Sequence, residues 1–374
     1  MIKVRSLKLV YILNRYPIVQ TIINLLLNPF FYFIRGLYRS RDSRRKNILI
    51  ISVHKLGDSI FTIPAIKEIV KYYQQNIYVV CFSETKQIFQ EILPDINYIC
   101  LESSDFSLNG RIASKKARKS IRQIKPKTLF DLTTSIKSAS LIFNSEAEEI
   151  IGANDQHFKN IYSHFTPVRN KPHIIDIYLD IVKTKIFVHD DIRTFPIKLY
   201  NNKRIIIQPF AGWRSKEWNL WKYVQLAKKL EEEFDVILVT PINTLSNEIQ
   251  NDIISDRITI VETETIGDLI DQIRECSVFV GNDSGPTYIA NLLGKATFTI
   301  FGPTNPEYHI PFGNYHGFIQ TDIGCIPKDN DKLCFTNGGR FGCPSFECMN
   351  QLSVENVYKN LMKFLGKIKL VSVI

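Results

Sequence analysis

Histidine is scarce and scattered, seven residues in 374, and none pairs with a cysteine to suggest a nucleophilic dyad. No G-x-G-x-x-G spacing follows the first predicted strand, which removes the usual dinucleotide fingerprint and with it an oxidoreductase reading. The only Asp-x-Asp match, Asp329 to Asp331, falls in a loop-rich tail away from the other polar turns, so metal-dependent group transfer has no good ligand set. No repeat of solenoid length and no long low-complexity tract occurs. Cysteine is odd in number: Cys81, Cys100 and Cys276, then Cys325, Cys334, Cys343 and Cys348 with gaps of eight, eight and four residues. That is not the tight paired spacing of a zinc knuckle, so free thiols in a reducing compartment are the expectation, with a structural metal as the alternative.

Acidic residues are nearly absent from the amino-terminal stretch. Residues 1–46 hold ten Lys or Arg against one acid, Asp42, out of a net charge of +10 for the whole chain. The body is therefore close to neutral, which argues against a nucleic-acid-binding face. The arm is also apolar: residues 17–38 read PIVQTIINLLLNPFFYFIRGLY, interrupted by Gln20, Asn24, Asn28, Pro29 and Arg35 and followed by RSRDSRRK. Ile22, Ile23, Leu26, Leu27, Phe30, Phe31 and Phe33 on or near one side of a helix suit a membrane interface, with the cations on anionic head groups. No small-residue cleavage site follows, so a signal peptide fits poorly. Residues 1–46 are expected to attach peripherally to the cytoplasmic face of the inner membrane; a helix docked on the first domain is the competing reading.

From Asn47 onward, short apolar runs alternate with polar turns and amphipathic helices, the pattern of parallel α/β sheets covered on both faces. Strands are predicted at residues 48–53, 77–82, 98–101 and 129–132, then at 204–208, 236–240, 258–261, 277–280 and 297–301. The pattern divides the chain into an extension (1–46), a first domain (47–185), a linker (186–203), a second domain (204–345) and a tail with an amphipathic helix (346–374) expected to tie the two halves together. Two doubly wound sheets would leave a cleft at the carboxyl ends of their strands, where such folds bind ligands.

Three polar turns follow predicted strands. In the first, Lys55, Gly57 and Asp58 open a helix; Asp58 can take a proton from an incoming hydroxyl, or it caps the helix. In the second, residues 209–218 carry Arg214 and Lys216, which can neutralise a departing diphosphate or form a solvated loop. The third, Gly281 to Pro306, sets Asp283, Ser284, Gly285 and Pro286 at the start of a helix between two apolar strands. A helix start with exposed amides is an anion site, or only a well-capped crossover.

Together IIISVHKLGDSIFTIPAIKEI, IIQPFAGWRSKEWNLWKYVQLAKKL and VFVGNDSGPTYIANLLGKATFTIFGPTNP resemble the signature regions of glycosyltransferase family 9, the lipopolysaccharide heptosyltransferases, from about Asn47 to about Pro311. The resemblance implies a GT-B fold with two Rossmann-like domains. It implies inverting transfer without metal or cofactor, from a nucleotide-sugar donor, typically ADP-heptose, to a phosphorylated glycolipid acceptor. It further implies Asp58 as general base beside Gly57 and Lys55 on the acceptor side. Lys216, Arg214, Asp283, Ser284, Gly285, Thr287 and Tyr288 would then lie at the donor. The family usually has His where this chain has Tyr288. A non-catalytic nucleotide- or glycan-binding member of the same fold is the alternative that this departure leaves open.

Overall fold

The computed structural model describes residues 17–370, apart from 43, 75, 155–158, 168–172, 190–201, 256, 312, 314, 329–330, 335, 337, 339–342 and 344. The beginning of the basic arm, most of the expected linker and Asp329 lie outside the described residues. The chain divides into two compact units, Met1–Asp190 and Asp191–Ile374.

The first unit opens with α1 (Pro17–Tyr38) and then builds a parallel six-stranded sheet in the order β3-β2-β1-β6-β7-β8. Its strands are β1 (Asn47–Ile51), β2 (Ile77–Phe82), β3 (Asn97–Leu101), β6 (Pro126–Asp131), β7 (Glu149–Asn154) and β8 (His164–Pro167), with the small antiparallel pair β4 (Phe106–Ser107) and β5 (Ile112–Ala113) set apart. Helices α2 (Leu56–Tyr73), α3 (Ser83–Ile92), α4 (Lys115–Gln123), α5 (Ile136–Ile142) and α6 (Ile174–Lys183) connect or follow them. Ile48, Leu49, Ile50 and Ile51 are all buried, as a central parallel strand covered on both faces requires.

The second unit repeats the plan in the order β11-β10-β9-β12-β13-β14. These strands are β9 (Arg204–Gln208), β10 (Asp235–Pro241), β11 (Ile258–Thr263), β12 (Val278–Asn282), β13 (Ala296–Phe301) and β14 (His316–Gln320). Between them run α7 (Leu220–Leu230), α8 (Asn247–Ile253), α9 (Ile266–Arg274), α10 (Gly285–Leu292) and α11 (Pro306–His309), with α12 (Glu347–Asn350) and α13 (Val354–Lys367) after the sheet. Local chemistry sets the helix starts: the Asn219 side chain accepts from Trp221 N, Ser246 from Ile249 N, and Thr265 forms a capping box with Asp268.

Two α/β units with doubly wound parallel sheets match the expected fold class. In both orders the chain reverses direction across the sheet beside the first strand, between β1 and β6 and between β9 and β12; ligands of such sheets bind at the carboxyl ends of these strands. The last helix, α13, packs on α7 and β14 of the second unit. It is anchored there because Trp218 Nε1 and Lys222 Nζ both donate to Leu352 O, at 3.0 and 2.8 Å, just before the Ser353 cap.

Candidate functional site

In the second unit the site begins with a latch. Asn282, the last residue of β12, donates from Nδ2 to Pro209 O at 2.8 Å, while its Oδ1 accepts from Trp218 N at 3.0 Å and from the Tyr223 hydroxyl at 2.9 Å. One fully buried amide thus fixes both ends of the loop after β9 and carries the 3-10 turn Arg214–Lys216 to the end of β12. Close approach demands glycine beside it, since a Cβ on Gly281 would stand 3.2 Å from Gln208 O and 3.1 Å from Thr287 Oγ1.

Asp283 lies at the centre, 1% exposed. Lys216 Nζ stands 2.6 Å from its Oδ2, the Thr304 hydroxyl donates to the same oxygen at 2.6 Å, and the Tyr288 hydroxyl donates to Oδ1. Burial pushes this carboxyl up, but the Lys216 ammonium, the His309 ring and the hydrogen bonds from Lys216 and Thr304 outweigh it and hold the group well below the usual carboxylate range. Lys216 also lies over the Trp213 ring, 4.9 Å from its centroid, and keeps a partly open ammonium. Arg214 is exposed on the same turn.

Helix α10 starts at Gly285 behind the N-cap Ser284, whose side chain makes no capping bond, with Pro286 in the first turn. Gly285 and Pro286 are half-buried, so the helix start is accessible. Thr287 differs from its expected role of lining the site: it is fully buried and its hydroxyl donates to Asn282 O at 2.7 Å, which holds the turn. Asp283 likewise orients Lys216 from beneath and presents little surface to a ligand. Thr304 and His309 were not expected in the site; their only sequence signal was the polar turn after β13.

In the first unit, Lys55 is the N-cap of α2 without a side-chain bond, and Gly57 and Asp58 lie in the first turn. Asp58 is half-buried, and among the described residues no hydrogen bond or ion pair occupies its carboxylate. It does not cap the helix. Beneath it, burial, with the Asp58 charge adding to it, pushes the Tyr178 phenol well above its ordinary range. The His54 ring packs on Tyr178 at 5.7 Å and its Nε2 meets Leu132 O at 3.1 Å.

Asp131, at the end of β6, carries no signal in the sequence that marks it as a site residue. It is fully buried; Oδ1 accepts from Thr133 N and Thr134 N, and Oδ2 from Ser138 Oγ and Tyr162 OH, at 2.8 to 3.1 Å. Burial raises it to about 6 against these bonds.

Residues 115–336 match the family model for glycosyltransferase family 9 (heptosyltransferase), more than half of the chain. The chain belongs to glycosyltransferase family 9. Lipooligosaccharide heptosyltransferase 2 of Campylobacter jejuni is 25% identical over 331 residues, covering 82% of this chain and 96% of that protein. Among solved structures, a family 9 glycosyltransferase from Veillonella parvula superposes with a TM-score of 0.69 at 16% identity, covering 86% of this chain and 98% of that one. E. coli ADP-heptose LPS heptosyltransferase II gives 0.62 at 18% identity, covering 86% and 99%. The fold is thus that of the GT-B heptosyltransferases, and the family makes the chain a glycosyltransferase.

The four carboxy-terminal cysteines of this family 9 chain line one small cavity with Pro303 and Thr336. All are free thiols. Burial, then the neighbouring thiols, pushes Cys348 up to about 12. Among the described residues no group of three or more His, Cys, Asp or Glu side chains is placed to hold a metal ion.

Proposed function

We propose that the protein transfers a heptose or closely related sugar from ADP-heptose, or another nucleotide-sugar donor, to the phosphorylated core of a lipopolysaccharide or similar glycolipid. The reading rests on the Lys216–Asp283 pair beside the accessible start of α10. An exposed Arg214 and an ammonium oriented by a buried carboxylate, beside the accessible start of α10, form a diphosphate cradle at the end of a switch-point strand. The names of the relatives, an ADP-heptose enzyme and a lipooligosaccharide enzyme, supply the donor and acceptor classes.

In this reaction Asp58 removes the proton from the acceptor hydroxyl. The oxygen attacks the anomeric carbon on the face opposite the leaving group, the bond from carbon to phosphate oxygen breaks, and the nucleoside diphosphate departs with its new charge met by Lys216 and Arg214. Configuration inverts, and neither metal nor cofactor takes part. Asp58 suits the base role because, among the described residues, no hydrogen bond or ion pair occupies its carboxylate. The same proposal places the protein on the cytoplasmic face of the inner membrane, attached through residues 1–46.

A thermal-shift comparison of ADP-heptose, ADP and UDP-sugars tests the donor: binding to the folded state raises stability with affinity. Stabilisation by ADP-heptose and not by UDP-sugars is expected; no response to any of them refutes the donor site. Asp58→Asn should lower turnover by about 10²- to 10⁴-fold with donor binding retained.

A further inference from the structure

Helix α1 docks on the first unit with its polar side inward. Arg35 Nη1 donates to Ala147 O at 3.1 Å, Arg39 Nε to Glu148 O at 3.0 Å, and Asn160 Nδ2 to Asn28 O at 3.0 Å, while Phe31 packs on Phe143. Its apolar side is left outward: Leu25, Leu26, Phe30, Tyr32, Phe33 and Leu37 are 51 to 75% exposed. Leu26, Phe30, Phe33 and Leu37 follow the i, i+4, i+7, i+11 spacing of a single helical stripe. A helix that turns its polar side to the protein and its large apolar side chains to solvent is built for an apolar phase outside the protein. No described helix is long and apolar enough to cross a membrane, so that phase is met along the helix.

At the carboxyl end of the same helix a cavity of about 610 Å³ is lined by Arg35, Arg39, Arg41, Ser40 and Glu148, among others. Arg35 is 7% exposed and, among the described residues, its buried Nη2 has no hydrogen-bond partner. Arg39 and Arg41 are exposed at the rim. Glu148 Oε2 is also buried without a partner among the described residues. Three guanidinium groups against one carboxylate call for an anion that also carries a donor.

Resting on the membrane attachment proposed above, we infer that α1 lies in the bilayer interface on its Leu26–Phe30–Phe33–Leu37 stripe and that the arginine cavity seats the phosphate of an anionic phospholipid. The headgroup hydroxyl turns to Glu148. Charge complementarity and the cavity's position at the end of the stripe favour lipid over a second copy of the chain or a protein partner.

The test is sedimentation of the full chain with vesicles of phosphatidylcholine alone or mixed with phosphatidylglycerol. Leu26→Asp with Phe33→Asp should weaken binding to both vesicle types by at least about tenfold. Arg39→Ala with Arg41→Ala should weaken only the phosphatidylglycerol vesicles, by about fivefold per arginine. Excess inorganic phosphate should leave the vesicle-bound protein in place. Equal binding to the two vesicle types, loss of binding in inorganic phosphate, or stripe variants that bind as the parent does would each overturn the inference. So would a lipid-free dimer that the stripe variants turn to monomer without loss of vesicle binding. The ADP thermal shift is read on every variant. Its persistence shows a folded protein and leaves the transferase reading standing if vesicle binding fails; its absence in the parent chain fails that reading alone.

Discussion

Asp131 and Asp283 stand at corresponding places, the carboxyl ends of β6 and β12, each next to the first strand of its sheet, and each carboxylate is fully buried. Their protonation is nevertheless pushed in opposite directions. Both receive hydroxyl donors, and Asp131 also takes two backbone amides, yet Asp131 is raised to about 6 and Asp283 falls well below the ordinary range. Burial is the largest single influence on both, and the difference is cationic: the Lys216 and His309 charges act on Asp283, whereas hydrogen bonds offset burial at Asp131. Neutral donors offset part of the desolvation of a buried carboxylate, whereas a full charge at 2.6 Å reverses it. The first unit therefore holds a structural carboxylate organising the turn after β6, and the second holds one committed to positioning a cation.

Breaking the ion pair should have the largest effect. Lys216→Met leaves Asp283 buried without its strongest counter-charge, a change that costs about 3–5 kcal/mol when one partner of a buried pair is removed. Urea unfolding should show that loss, and it should exceed the loss from Asp131→Asn in the same assay. Donor affinity should fall as well, since the Asp283 carboxylate holds the Lys216 ammonium just before the start of α10. A Lys216→Met chain as stable as the parent would mean that Asp283 is not ionised in the fold and would remove the contrast with Asp131.

The sequence made half of this contrast legible. Asp283 and Lys216 were readable because each falls in a polar, glycine-containing turn after an unbroken apolar strand, and the resemblance joined them. Asp131 was invisible for the opposite reason: it lies within a run, Leu129 to Leu132, that reads as an ordinary strand, and its partners Ser138 and Tyr162 are brought to it only by tertiary packing. The same logic separates strands found from strands missed. The central strands β1 and β9 are buried on both faces and carry continuous isoleucines. Strand β7 contains Glu149, Gly152 and Asn154, β8 is mostly exposed, and edge strand β14 is half-exposed, so none of them shows an apolar run. In α1 the apolar pattern was plain, but it did not reveal that the buried side would be the polar one, because hydrophobic periodicity marks a stripe without saying what covers it.

Asp131 sharpens the comparison through pH. Its folded-state value lies above that of an unfolded aspartate, so the native state binds the proton more tightly. Stability from this group is present in full below the unfolded value and is lost as pH rises from about 4 to about 6, by about 3 kcal/mol for a shift of this size. For Asp283 the sign reverses: its contribution is complete above the unfolded value and declines only as pH falls below it. The difference in unfolding free energy between the parent chain and Asp131→Asn, followed from pH 4 to 7, should therefore change with pH over that window. Thr304→Leu, which should leave the Asp283 ionisation in place, should give a flat difference over the same range. A flat line for Asp131→Asn would show that the carboxylate titrates as in water and that burial does not govern it.

The smallest effects separate the hydroxyl donors of Asp283. Thr304→Val removes one hydrogen bond to Oδ2 while Lys216 keeps that oxygen paired, so a loss of about 1–2 kcal/mol is expected. Tyr288→Phe removes a hydroxyl donor from Oδ1, with a loss of similar size. The two variants should differ in their effect on the donor. Thr304 shares its oxygen with Lys216, so its loss lets the ammonium recentre and should shift donor affinity; Tyr288 acts on the other oxygen and should leave affinity within about twofold of the parent, a change near 0.4 kcal/mol. If Tyr288→Phe instead abolishes donor binding while the fold persists, the tyrosine touches the donor itself and acts in recognition and not in support.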